Sequence, residues 1–389
     1  MYIKSIDFYH KPADGKGWHI KYCDFNHINL ISGKNASGKT RLLKAINSFA
    51  TLLSHDQIKL KDNLSLQWSI TLENQDEEIV YEFSCKNNQI LKEELKINGK
   101  SYLSRDSEGK GHILYVGLKK KVEFEVEKNK IVVTSKRDKK QHPFLEALFD
   151  WSKHVFLYNF GGLLGQNTLV SIRDIDKLST NDGDLEKLNK DYDGVVPKFE
   201  LGIKSFGDKF KDKVIQDFNE IGYAVSDIYV VPYQLQQTGI KGIPIPNLLY
   251  VVERNVSDKI SQENISQGMF RVLSLIIQLT YLEFNLTEHS TVLIDDIGEG
   301  LDFDRSTNLI KFLISKAESL KEKIQLIMTT NDRFVMNNVD LTYWTVIDKS
   351  DGDIRFYSER TDPELFEEFS YIGLNNFDFF SGQYYKKQK

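Results

Sequence analysis

Eight consecutive residues carry the clearest chemistry in this chain: "GKNASGKT", Gly33 to Thr40. They satisfy G-x-x-x-x-G-K-[ST], a spacing suited to cradling phosphate. Gly33 and Gly38 permit a tight turn in which the N–H groups around Lys34, Asn35, Ala36 and Ser37 converge on phosphate oxygens. Lys39 has the reach for the β- and γ-phosphates, the Thr40 hydroxyl can ligate Mg²⁺, and Arg41 follows on the opening turn of a helix whose positive end favours anions. A glycine turn that merely joins a strand to a helix is the plain alternative. The apolar run "INLIS" before the loop and the helical spacing of Leu42, Leu43, Ile46, Phe49, Leu52 and Leu53 after it supply the context the motif requires. The loop is expected to hold a nucleoside triphosphate.

Three later stretches have residue types that complete such a site. "TVLIDDIGEGLD" (Thr291–Asp302) is an apolar strand ending in two carboxylates. Asp295 is placed to hold Mg²⁺, and Asp296 follows where a base or water-orienting carboxylate belongs. "ISQGMFR" (Ile265–Arg271) opens a helix, with Ser266 as a cap and Gly268 leaving room for a phosphate. "LIMTTNDRF" (Leu326–Phe334) ends a strand in polar groups, of which Asn331 or Asp332 would sense the γ-phosphate.

These stretches must be held by elements whose patterns differ along the chain. "MYIKSIDFYH" and "WHIKYCDFNHINLIS" read as strands. From Leu64 to about Thr134 the apolar period is two: "LQWSITL", "EIVYEFSCK", "ILKEELKING", "HILYVGL" and "KVEFEVEKNKIVVTS" predict an antiparallel meander, with hairpin turns at Asn87–Asn88 and Asn98–Gly99. Residues 143–230 read as mostly helical, broken at "STNDGD" and "DYDG", with "KSFGDKFKDKVIQDFNEIG" as the clearest helix. The last third alternates helix (about Ser266–Phe284), strand, helix (about Arg305–Leu320), strand, and a closing strand pair turning at Asp351–Gly352. Alternation of this kind predicts an α/β fold with a largely parallel sheet. The division expected is 1–63 and 261–349 for the two halves of the nucleotide domain, 64–142 for the β insert, 143–260 for a helical subdomain, and 350–389 for a hairpin strand and aromatic tail.

Composition narrows the function. A net charge of −5 over 389 residues provides no global basic field for DNA or anionic membranes. Two distant cysteines, Cys23 and Cys85, make no disulfide or zinc framework, and the histidines lack ligand spacing. The N-terminus lacks a signal-peptide core and no apolar run spans a bilayer, so a cytoplasmic protein without membrane contact is expected. Sustained heptads are absent, which removes long coiled-coil arms.

The four motifs in this order resemble the ABC-type ATPases of the RecF/SMC/OLD group. More closely, the chain resembles the stand-alone AAA-family ATPases that accompany effector genes in bacterial anti-phage systems. The matching residues are the Walker A "GKNASGKT", the signature-like "ISQGMFR", the Walker B with D-loop "LIDDIGEGLD" and the switch strand "MTTND". The resemblance implies a P-loop head that binds ATP with Mg²⁺ and sandwiches it in a homodimer or a higher oligomer. Ser266 and Gly268 of one copy would meet the γ-phosphate held by Lys39 of the other, and Asp302 would cross the interface. Three positions depart from the group. Its catalytic glutamate is Asp296 here, with Glu299 as a substitute, which implies slow ATP turnover. Its switch histidine is Asn331, and its Q-loop glutamine has only Gln166 as a candidate. With about fifty residues after the switch strand, a fused nuclease is not expected, so a separate nuclease or toxin would be the effector. A RecF-like DNA-binding clamp in repair or recombination is the alternative. A third reading is an SMC-like or transporter-type head awaiting other subunits.

Two features stay open at this level. The basic runs Leu118–Lys130 and Ser135–His142 suit either a DNA backbone or a lysine-protected sheet edge. The aromatic tail from Phe369 to Tyr385 either docks on a partner or packs back on the core.

Overall fold

The computed structural model describes residues 1–12, 15, 17–55, 64–167, 170–171, 194–232, 246–254, 256, 258–286, 288–321, 323–350 and 353–386. The expected breaks at 179–184 and 191–193, the loop at 233–245 and the turn at 351–352 lie outside them.

The N-terminal part runs β1 (Tyr2–Lys11), β2 (Trp18–Asp24), β3 (Ile28–Ser32) and α1 (Lys39–Leu53). The run read from sequence as one strand is thus two. Asn29 makes the break: its Oδ1 accepts from the Asn26 N–H at 2.8 Å and its Nδ2 donates to Asn26 O at 2.8 Å. The meander follows as β4 (Ser65–Asn74), β5 (Glu77–Lys86), β6 (Gln89–Ile97), β7 (Lys100–Arg105), β8 (Lys110–Tyr115) and β9 (Lys120–Glu125). Its turns at Asn87–Asn88 and Asn98–Gly99 have the positive φ angles (52°, 60°, 48° and 74°) that two-residue hairpins demand. "IVVTS" leaves the sheet to form a helical turn, α2 (Val132–Ser135), because the buried Glu93 carboxylate accepts from the N–H groups of Val132 and Val133.

Next come α3 (Pro143–Lys153), β10 (Val155–Asn159), the short β11 (Val170–Ser171), α4 (Val195–Phe206), α5 (Asp208–Glu220), β12 (Val225–Pro232), β13 (Pro246–Glu253) and β14 (Lys259–Ser261). The stretch expected to be helical therefore also carries a second, four-stranded antiparallel sheet, β11 to β14. The single helix expected over "KSFGDKFKDKVIQDFNEIG" is broken at Gly207, whose φ of 64° and ψ of −150° no helix accommodates.

The chain then alternates: α6 (Gln267–Phe284), β15 (Ser290–Asp295), α7 (Phe303–Ser319), β16 (Ile324–Thr330), α8 (Arg333–Asn337), β17 (Trp344–Ser350), β18 (Asp353–Ser358), α9 (Pro363–Ser370) and α10 (Asn376–Ser381). One 14-stranded sheet runs β10-β15-β16-β3-β17-β18-β2-β1-β4-β5-β6-β7-β8-β9. It is parallel from β10 to β17 and antiparallel from β2 to β9. The meander is therefore an extension of the nucleotide-domain sheet, joined through the β1–β4 pair.

Strands β3, β15 and β16 are buried at every position, as parallel strands covered on both faces must be. On one face α1 packs Leu42, Ile46 and Phe49 against Trp68, Tyr81 and Trp151. On the other face lie α4, α5, α6 and α7. The aromatic tail resolves toward packing: Phe369, Phe379 and Tyr385 are buried against Phe366 and Trp344, while Tyr371 is exposed. Strand β9 ends the sheet, with Lys119, Lys120 and Lys121 exposed at its start, the arrangement of a charge-protected edge. Among the described residues no helix is long and apolar enough to cross a membrane.

Candidate nucleotide-binding site

Three parallel neighbours, β15, β16 and β3, bring the motifs together. Their register places Met328 beside Ile294 and Leu30, and Thr330 beside Ser32. All three strands end on the same side, so Gly33, Asp295–Asp296 and Asn331 emerge at one edge of the sheet, where ligands of such sheets bind.

The loop is strained where phosphate must approach. Gly38 has φ 116° and Ala36 has φ 62°. At Gly33 a methyl group would lie 2.5 Å from Ile347 Cγ2 and 2.7 Å from Ser37 Oγ, so packing, rather than a left-handed backbone, demands glycine there. Lys39 Nζ donates to Gly33 O at 2.7 Å, to Lys34 O at 3.2 Å and to Asn331 Oδ1 at 2.6 Å. Burial holds the Lys39 ammonium below the usual lysine range, against the opposing pull of Asp296 and Asp295. Asn331 Nδ2 in turn donates to Asn35 Oδ1 at 2.8 Å. Asp332, the other sensor candidate, turns away to cap α8 through Phe334 N and Val335 N.

A single hydroxyl organises the acidic side. Thr329 Oγ1 donates to Asp295 Oδ1 at 2.6 Å and accepts from the Asp296 N–H at 2.9 Å. Asp295 is buried, and Asp296 sits at φ 55°, a conformation costly for a residue with a side chain. Burial, then the charge of Asp295, raise the Asp296 carboxyl above the usual range; Lys39 pulls it down and Glu299 adds a smaller upward push. Two desolvated carboxylates beside one lysine form a donor set that a divalent cation relieves, so these residues fit Mg²⁺. Among the described residues no three His, Cys, Asp or Glu side chains gather as a closed metal cage.

Together Asn35, Ala36, Gly38, Lys39, Thr40, Arg41, Asp296, Asn331 and Lys349 line an open cavity of about 400 Å³. Arg41 also stacks its guanidinium on Trp18, 5.2 Å from the ring centre. Glu299 is exposed and is not part of this lining.

Ser266 caps α6 by accepting from the Met269 N–H at 3.3 Å. Gly268 is fitted to its own chain: a Cβ there would stand 2.8 Å from Gly300 O, in the turn before Asp302. Asp302 caps α7 through the Arg305 N–H at 2.9 Å and pairs with the Arg305 side chain, with about half its own side chain (49%) exposed. Neither Ser266, Gly268 nor Asp302 reaches the cavity around Lys39 of the same chain. Gln166 is buried and donates to Gln262 O at 3.3 Å and Ile265 O at 2.8 Å, holding the approach to α6.

Three contributors were not singled out by sequence reasoning. Thr329 was one of two threonines in a strand, and Lys349 one lysine in a hairpin; neither has a local signal. Arg271 had one, as the cation closing "ISQGMFR". Its guanidinium donates to Gly162 O at 3.0 Å, Gly161 O at 3.1 Å and Glu299 O at 2.9 Å, tying the signature helix to the β10 loop and to the turn after β15.

The sheet order, the phosphate loop and the paired carboxylates define a P-loop protein of the ABC-ATPase head class. By fold it resembles the head of SMC proteins. An SMC head solved with the C-winged helix domain of ScpA aligns at TM-score 0.54 and 13% identity, covering 94% of this chain and 100% of that one. The SMC head of Thermotoga maritima aligns at 0.45 and 12%, covering 92% of this chain and 99% of that one. A head with an extended coiled coil, bound to the C-terminal domain of ScpA from Pyrococcus furiosus, aligns at 0.46 and 12%, covering 95% and 99%. Over residues 28–337 the chain matches, and belongs to, the family described as "AAA domain, putative AbiEii toxin, Type IV TA system". No curated protein matches it.

Proposed function

We propose that this protein is a nucleotide switch: it binds ATP with Mg²⁺ on Gly33–Arg41, hydrolyses it slowly, and closes as a homodimer around it to control a separate nuclease or toxin in bacterial anti-phage defence. The observation that carries this reading is the convergence of Lys39, Thr40, Asp296 and Asn331 on one open cavity, with Asp295 buried directly behind Asp296, while Ser266, Gly268 and Asp302 lie outside it. A half-site that shows its signature helix elsewhere on the surface suits completion by a second copy. The family's description names a putative toxin of a toxin–antitoxin system, which supports a role for this chain in a system of that kind. Thr40 and Asp295 would hold Mg²⁺, which neutralises phosphate charge when bound. Lys39 holds the phosphates, Asp296 orients the attacking water, and Asn331 positions the γ-phosphate by hydrogen bonding, without carrying a proton. The reduced, buried thiols of Cys23 and Cys85 suit a cytoplasmic setting.

Steady-state ATP turnover of the purified protein, with and without linear duplex DNA and with Lys39→Ala as blank, tests this. Slow turnover indifferent to DNA is the expected result. Stimulation several-fold by duplex DNA would instead favour the RecF-like reading. The exposed lysines at 119–121, which form no ion pair among the described residues, are the observation behind that second reading.

A further inference from the structure

The surface farthest from bland is not at the nucleotide. Tyr371, Ile372 and Leu374, at 80%, 50% and 43% exposure, crowd three large apolar side chains into four residues between α9 and α10. Beside them a groove of about 490 Å³ has a floor of Leu341, Phe366 and Phe369 and a rim of Asp340, Glu359 and Glu367. The sequence from Glu359 to Asp378 holds six carboxylates and one cation, Arg360, and that cation is tied to Asp24. Glu359, Glu364, Glu367 and Glu368 are exposed and make no ion pair among the described residues. An apolar patch ringed by unpaired charge of one sign is expensive to leave uncovered, and it selects its partner by both properties.

From this we infer that the α9–α10 groove is a docking surface for a basic, apolar-anchored segment of a partner protein: aliphatic or aromatic side chains enter over Phe366 and Phe369 while Lys or Arg meets Asp340, Glu359 and Glu367. This rests on the reading of the chain as a switch for a separate effector and names where that effector attaches. The groove is wired to the nucleotide site by one short element. Asn331 contacts Lys39, and the next residue caps α8. At the other end of α8, Asn337 Oδ1 accepts from Phe377 N at 2.8 Å, and Asn376 Nδ2 donates to Val339 O at 2.7 Å. A continuous run of contacts thus joins Asn331 to the base of α10.

The test is fluorescence anisotropy with a labelled amphipathic peptide of Lys/Arg and Leu/Phe at helical spacing, against full-length protein, with and without ATP. The expected result is saturable binding that Glu359→Lys/Glu367→Lys and Tyr371→Ser/Ile372→Ser/Leu374→Ser each weaken at least about tenfold. A peptide with the Leu/Phe positions changed to Ser binds less. ATP affinity, followed with a fluorescent analogue, stays unchanged in both variants, which shows that they fold and leaves the switch reading to be judged by its own turnover assay. Equal peptide binding by wild type and both variants overturns the inference. So does a change of oligomeric state in the serine variant with peptide binding intact, which would assign the face to a second copy of this chain.

Discussion

Lys39 Nζ and Asn331 Oδ1 lie 2.6 Å apart although they stand 292 positions apart in the chain, so the end of β16 meets the phosphate-loop lysine directly. The lysine that must meet phosphate is occupied by two loop carbonyls and this amide. Asn331→Ala is expected to leave ATP affinity within about threefold, because a released lysine offsets a lost phosphate contact, and to lower turnover by about tenfold or more. Titration with a fluorescent ATP analogue beside single-turnover kinetics separates the two; equal loss in both would show that Asn331 only binds.

Asp296 gives a prediction in pH. Its folded pKa lies above the unfolded value of 3.8, so the native state holds the extra proton and stability falls as pH rises through that interval. Above it the cost is fully present. Asp296→Asn should raise the melting temperature of the nucleotide-free protein by about 1–3 °C at pH 7, and by less near pH 4. Turnover should fall about 100-fold or more. Scanning fluorimetry at the two pH values decides it, and a lower melting temperature for the variant at pH 7 would refute the electrostatic account.

Gly268 and Arg271 predict a defect without loss of nucleotide. A methyl group on Gly268 collides with Gly300 O, and Arg271→Ala frees three carbonyls at once. Either change should cost about 1–3 kcal/mol of stability. Neither should alter ATP binding by the single chain, yet both should abolish ATP-dependent dimers in light scattering. Dimers that persist in Gly268→Ala would show that the signature turn is not at an interface.

Far from the nucleotide, Glu93 and Arg105 form a fully buried pair at 3.6 Å. Tyr81 OH, at 2.5 Å, completes the carboxylate's shell together with the α2 amides, and Arg105 Nη1 donates to Lys130 O at 2.6 Å. Glu93→Ala strands a buried guanidinium and should destabilise the protein by about 3–5 kcal/mol. Urea unfolding measures this. A loss under about 1 kcal/mol would mean that the network is incidental.

Much of this protein was legible in its residues. Phosphate loops need glycine where the backbone turns and a lysine where charge collects, so Gly33–Thr40 stands out whatever surrounds it. Strand and helix periods were equally plain where one apolar period ran long, as in the meander and in α6. They misled where a side-chain hydrogen bond or a single backbone conformation outweighs the pattern. Asn29 splits β2 from β3, Gly207 divides α4 from α5, and Glu93 pulls "IVVTS" out of the sheet.

What the sequence by itself determined is the phosphate loop and the strand–loop–helix unit that carries it, because backbone geometry and charge are local properties. What only the tertiary structure decided is which residues stand behind them. Thr329 bonds both Asp295 and Asp296, Asn331 rather than Asp332 reaches Lys39, and Arg271 couples three loops. Each depends on which strands lie side by side and where they end. That order comes from burial of whole faces across the sheet, a sum over distant residues that no short stretch contains.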